Sequence, residues 1–345
     1  WSTKETPAIR VSGHWWKPGS RMSIDEDGGH VSPGMICAWW YDGKRMFEPL
    51  AIKECRMAIV NDKHPLWPAD GSGEGAGAIV PILDEDFSLG MRPGNKGFWL
   101  CLTSDAEARA EGAPTSFEAE LTPWWGPPST LTYRNNIYGF DMGYDILRLQ
   151  GTKLKLKVDG EEFEGTAYFQ KVSVQAPTFP WFWGMLHFDD GSYIDWFKPH
   201  ATLGMTSMDD RPWRRRDFFR TPAIGTGIFH DANRGRTENF KRCEVEVSEP
   251  DGEEPLRDEQ GNALPKFRIR IWNGRTQVSI DVRACSRARW TFDQPTRAGM
   301  VSHLTYNEYP LEVERIAILD EQGLRTIDDY EWIMGNAEHT WGVLH

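Results

Sequence analysis

No apolar run in the sequence approaches the ~18 residues of a membrane-spanning helix, which excludes that class of membrane protein. Positive charge is in deficit: 39 Lys and Arg stand against 51 Asp and Glu, a net charge of −12. That balance argues against a phosphate-binding surface, and nucleic acid is not expected as a partner. Cysteine is sparse. Cys37, Cys55, Cys101, Cys243 and Cys285 contain no Cys-x-x-Cys pair and are odd in number, so they read as reduced thiols rather than a zinc knuckle or disulfide framework. Familiar catalytic signatures are missing too, with no Gly-x-Ser-x-Gly elbow, His-Glu-x-x-His pair, Walker loop or EF-hand. The glycine-rich run at 71–77 is followed by neither Lys-Ser/Thr nor a helical pattern, and reads as a flexible loop. His187-x-Asp189 places two ligand types on one strand face, but spacing names no third, so no metal is assigned. The opening segment WSTKETPAIR lacks the charged-then-apolar pattern of a signal peptide, which makes a cytoplasmic location the expectation.

Helical periodicity is equally scarce, and the Ala-rich stretch 104–111 is the best helix candidate. The clear patterns have period two. Lys153-Leu-Lys-Leu-Lys-Val158, Cys243-Glu-Val-Glu-Val247, Phe267-Arg-Ile-Arg-Ile271 and Val278-Ser-Ile-Asp-Val282 each predict a strand with one buried and one wet face. Asp42-Gly43, Asp159-Gly160, Asp190-Gly191 and Asn273-Gly274 are the dipeptides of two-residue hairpins. Strands joined this way predict an all-β fold of antiparallel barrels or sandwiches. The segment 206–220 carries a proline and mixed charge without strand period, and marks a linker between a domain of 1–205 and one of 206–345. Its arginines suit a solvated or salt-bridging role, or peripheral contact with an anionic membrane surface.

Against these absences stands an excess of aromatics: 17 Trp, 17 Phe and 9 Tyr, many in tight clusters. Such side chains either fill a large β core or line a cavity for a hydrophobic ligand, where each supplies ~150–250 Å² of contact. The densest stretch runs from Phe179 to Phe197 around Asp190-Gly191. With a two-residue turn there, Phe188 faces Tyr193, Leu186 faces Asp195 and Met185 faces Trp196. One face would then carry Trp183, Met185, His187, Ile194 and Trp196, the other Leu186, Phe188, Tyr193, Asp195 and Phe197. Each face sets one ionisable group among apolar neighbours. A carboxyl in such surroundings stays protonated toward neutrality, as a general acid must, which singles out Asp195, with His187 as its counterpart. A backbone-bonded or solvated Asp195 and an ordinary core His187 are the alternatives.

These residues resemble the family of carotenoid 1,2-hydratase (hydroxyneurosporene synthase) and the AttH-like proteins. The likeness rests on Gly165…Tyr168, Trp181-Phe-Trp183 and His187-Phe-Asp189-Asp190-Gly191, with echoes in Ala38-Trp39-Trp40-Tyr41-Asp42-Gly43 and Phe117-Glu-Ala-Glu-Leu-Thr-Pro123. It implies two tandem lipocalin-like barrels packed side by side, a hydrophobic pocket, and cofactor-free chemistry on an apolar molecule. Where many members carry Asp-His-x-Trp-Gly, this chain has Phe169-Gln170-Lys171-Val172-Ser173, so that pair's role does not carry over. Three functions are compatible with the residues. The first is an enzyme that hydrates, isomerises or cyclises a terpenoid- or polyketide-like molecule, with Asp195 or His187 moving the proton. The second is a carrier of a pigment, steroid or lipid, and the third a pericyclase that works by folding its substrate. The candidate ligand-binding side chains are Trp39, Trp40, Trp124, Trp125, Tyr168, Trp181, Trp183, Tyr193 and Trp196, and no cofactor is expected.

Overall fold

The computed structural model describes residues 2–3, 9–16, 23–24, 30–60, 78–82, 87–91, 97–104, 106–107, 109–124, 132–137, 142–175, 180–200, 225–248, 254–295 and 301–344. The chain divides into two compact units, Trp1–Gly43 with Phe47–Gln175, and Lys44–Met46 with Ala176–His345. Both are built from strands. Among the described residues there is no α-helix, only one 3-10 turn at Ile327–Asp329, and no helix long and apolar enough to cross a membrane.

The strands of the first unit are β1 (Ser2–Thr3), β2 (Ile9–Trp16), β3 (Ser23–Ile24), β4 (His30–Asp42), β5 (Met46–Val60), β6 (Ala78–Ile82), β7 (Phe87–Met91), β8 (Phe98–Thr103), β9 (Ser116–Pro123), β10 (Thr132–Ile137), β11 (Met142–Val158) and β12 (Glu161–Gln175). One sheet runs β1-β12-β11-β9-β8-β7 with β10 beside β11; the other runs β2-β4-β5-β6 with β3 beside β4. The alternation of β11 works as the sequence predicts. Leu154, Leu156 and Val158 are buried opposite Leu121, Ala119 and Phe117 of β9, while Lys153, Lys155 and Lys157 are exposed. Asp159-Gly160 makes the expected two-residue turn, with φ of 48° and 91°, the left-handed pair a tight hairpin requires.

The second unit comprises β13 (Trp181–Phe188), β14 (Tyr193–Pro199), β15 (Thr226–Asp231), β16 (Arg236–Phe240), β17 (Arg242–Ser248), β18 (Lys266–Trp272), β19 (Gln277–Ala284), β20 (Ala288–Pro295), β21 (Val301–Asp320), β22 (Gly323–Thr326) and β23 (Ile333–Leu344). They form one eleven-stranded, nearly closed barrel-like sheet in the order β16-β15-β14-β13-β23-β21-β19-β18-β17, with β20 and β22 also on β21. Its interior is packed with side chains: Leu186, Ile194, Trp196, Ile269, Ile271, Val278, Ile280, Val282, Ile316 and Ile318 are all essentially inaccessible. Trp196 fits because its register partner is Gly184, where a Cβ would stand 2.2 Å from the indole Cζ2.

Two expectations change here. Among the described residues of 104–111, turns and bends stand where a helix is expected, because polar side chains bind the β8–β9 connection instead. Ser104 Oγ donates to the Pro114 carbonyl at 2.8 Å, and Arg109 Nη1 donates to Thr115 Oγ1 at 2.8 Å. The hairpin β13–β14 belongs to the second unit rather than to a domain of 1–205, because the other edge of β13 is taken by β23. The loop at 71–77 and the linker at 206–220 lie outside the described residues.

Candidate functional site

The β13–β14 connection is one residue longer than Asp190-Gly191 suggests. Gly191 N–H donates to the Phe188 carbonyl at 3.1 Å, Phe188 N–H donates to the Ser192 carbonyl at 3.0 Å, and Gly191 has φ +84°. This is a three-residue loop with a left-handed glycine, so the register moves by one from the two-residue expectation. Trp183 now faces Phe197, Met185 faces Asp195, His187 faces Tyr193, and Gly184 and Leu186 face Trp196 and Ile194. The slip redistributes the side chains. Phe182, Leu186, Phe188, Ile194 and Trp196 enter the barrel core, while Trp181, Trp183, Met185, His187, Tyr193, Asp195 and Phe197 share the opposite face.

Both ionisable groups therefore lie on one face, not one on each. They are diagonal neighbours across the hairpin, where Cα atoms stand ~7–8 Å apart. That face is buried as thoroughly as the core: Asp195 is 2% exposed, His187 4% and Tyr193 1%. Adjacent strands extend it. In β15, Ile228 lies opposite Asp195 and His230 opposite Tyr193, with the Tyr193 and His230 rings stacked at 5.6 Å. In β23, Glu338 lies opposite Trp183 and Asn336 opposite Met185; in β21, Glu308 lies opposite Glu338. Trp181 Nε1–H donates to Glu338 Oε2 at 2.8 Å, and Asn336 Nδ2 donates to Glu308 Oε1. The face thus grades from apolar and acidic on β13–β14 to hydrogen-bonded carboxylates on β21 and β23.

His230 is a further titratable member of this face. Burial pushes its imidazole below the ordinary value, against the opposing pull of Asp231 and Asp190. Its Nδ1 lies 2.7 Å from Thr237 Oγ1 on β16. A carboxyl, two imidazoles and a phenol within a few strand spacings, bedded among Trp, Met and Ile side chains, form an arrangement that can pass a proton to or from an apolar molecule. His230, Glu308 and Glu338 are absent from the sequence-derived candidates. They come from strands remote in sequence, and no local pattern singles them out.

Other candidate side chains are distributed differently. Trp40 and Trp196 are core residues, Trp40 packing on Phe117 with ring centroids 5.3 Å apart. Trp39 is buried on the other face of β4, with Cys37 and Tyr41. Tyr168 also points away from its core: neighbouring Ala167 and Phe169 pack inward, while the Tyr168 hydroxyl donates to Gln170 Oε1 at 2.7 Å. The Trp124 ring packs against Gly151 at the β11 irregularity, where a Cβ would stand 1.9 Å from it. Trp125 lies outside the described residues. The structure thus brings together Trp181, Trp183, Tyr193, His187 and Asp195.

No protein-family model matches the sequence, and no curated protein matches it. Among solved structures, the crystal structure of a Nitrosomonas europaea protein assigned the name AttH aligns over 96% of this chain and 92% of its own. The identity is 12% and the TM-score 0.40. At that identity and score no residue role and no activity transfers from it.

Proposed function

We propose that the chain is a cofactor-independent enzyme that hydrates, isomerises or cyclises a terpenoid- or polyketide-like hydrophobic molecule on the outer face of β13–β14, with Asp195 as proton donor. The observation that supports this reading is the shared face: a slip of one residue sets Asp195 and His187 together beside Trp181, Trp183, Met185 and Tyr193. Protonation of an alkene leaves a carbocation, which the faces of Trp181 and Trp183 stabilise by roughly 0.5–2 kcal/mol each when they lie against it. A general acid contributes about 10²–10⁴-fold. The interior of the second barrel is filled by Trp196 and its neighbours, which argues against carriage of a ligand in that lumen.

The test is mass spectrometry of an organic extract of the purified protein, before and after prolonged incubation at neutral pH. A co-purifying hydrophobe that gains the mass of water or rearranges with wild type, and stays unchanged with Asp195→Asn, is the expected result. A stoichiometric hydrophobe that wild type never transforms, or equal turnover by Asp195→Asn, overturns the assignment.

A further inference from the structure

An acid alone does not complete such a cycle, because a group must also take up the proton that water or the substrate gives up. The geometry points to His230 as that proton acceptor, with Thr237 as the positioning residue that keeps the imidazole proton on Nδ1; this rests on the acid role proposed for Asp195. Three observations place it. His230 is buried on the same face as Asp195, directly opposite Tyr193 and diagonal to Asp195 in the β14–β15 register. Its ring is fixed from two sides, by stacking on Tyr193 at 5.6 Å and by the 2.7 Å approach of Thr237 Oγ1 to Nδ1. The neighbouring Asp231 is engaged by Arg234 at 3.4 Å and Arg325 at 2.8 Å, and these guanidinium groups offset its pull on the imidazole proton. Burial, in turn, favours the neutral ring, the form that accepts a proton.

The proton arithmetic closes. For hydration, Asp195 gives its proton to one alkene carbon, the π pair forms the new C–H bond, and water attacks the cation left on the other carbon. His230 Nε2 takes one proton from that water, giving the alcohol. The imidazolium then returns its proton to the Asp195 carboxylate, so the sum is alkene plus water to alcohol. An acceptor at Nε2 requires the proton to sit on Nδ1, donated to the Thr237 hydroxyl.

That requirement is measurable without substrate. In the full chain with ¹³C,¹⁵N-labelled histidine, NMR at pH 7 is expected to show His230 as the Nδ1–H tautomer. Thr237→Val, at an exposed position, should move most of the population to Nε2–H. An Nε2–H tautomer in wild type, or a tautomer unmoved by Thr237→Val, overturns the proposal. In the extract assay, His230→Gln should lower turnover about 100-fold or more. Full turnover in His230→Gln with none in Asp195→Asn removes the acceptor and leaves the acid standing. Full turnover in both variants removes the reading on which both rest.

Discussion

The meander β17–β19 and the hairpin β13–β14 are parts of one sheet, yet they bury their residues differently. In the meander, Val245, Ile269 and Ile280 line up inward while Glu246, Arg268 and Asp281 line up outward, where Asp281 accepts from Arg268 at 2.9 Å and from Arg315 at 2.7 Å. In the hairpin, seven consecutive residues from Phe182 to Phe188 are buried. A strand with one wet face spells its orientation in alternating polarity. A strand buried on both sides hides it, and its second face is free to hold groups that a solvated face would leave screened by water.

The sharpest way to break the comparison is to truncate the hairpin's core face. Trp196→Ala should destabilise the second unit by about 3–5 kcal/mol in urea unfolding, because the indole fills the space over Gly184. Acid should act next. His200 is pushed down to about 3 by burial, and His339, packed on Phe182 at 4.2 Å, is held well below its usual value by burial and by His200. Both histidines bind a proton more readily when unfolded, so stability is complete above pH ~6.5 and falls as the pH drops toward 3. The slope is about 1.4 kcal/mol per unit for each ring. Urea titrations between pH 7 and 4 should show that slope, and His339→Leu should flatten it. A pH-independent midpoint would remove the account. Gly191→Ala, at φ +84°, should cost about 1 kcal/mol. On the meander, Arg268→Ala should leave the unfolding midpoint indistinguishable from wild type, since its ion pair is solvent-exposed. A large loss there would mean the outward face of the meander is not the solvated surface it resembles.

How much of this the sequence discloses follows the same division. The lysine-leucine alternation of β11 and the charged alternation of β17–β19 are legible because water selects every second residue. The all-β class is legible because the turn dipeptides recur. Register at the hairpin is not, since Asp-Gly serves a two-residue loop at Asp159-Gly160 and the end of a three-residue loop at Asp190-Gly191. That single residue separates Asp195 from His187 in the reading and joins them in the structure. The aromatic clusters divide for a related reason: neighbours in sequence point to opposite faces, so Trp40 is core while Trp39 is not. Glu308, Glu338 and His230 become neighbours of the hairpin only through long-range pairing.

That pairing also governs how the unit comes to exist. Trp181 and Glu338, which share a hydrogen bond, are 157 positions apart, and β13 has β23 as its second partner. As the chain leaves the ribosome, β13 and β14 emerge early but cannot complete their sheet until the residues of β23 follow. Throughout that interval an apolar strand with an open edge, rich in Trp and Phe, is exposed to other chains. Closure across so long a loop is slow, and an unpaired edge is a template for association. The second unit should therefore depend on chaperone protection during synthesis, and its misassembly should begin at the strand that carries the candidate site.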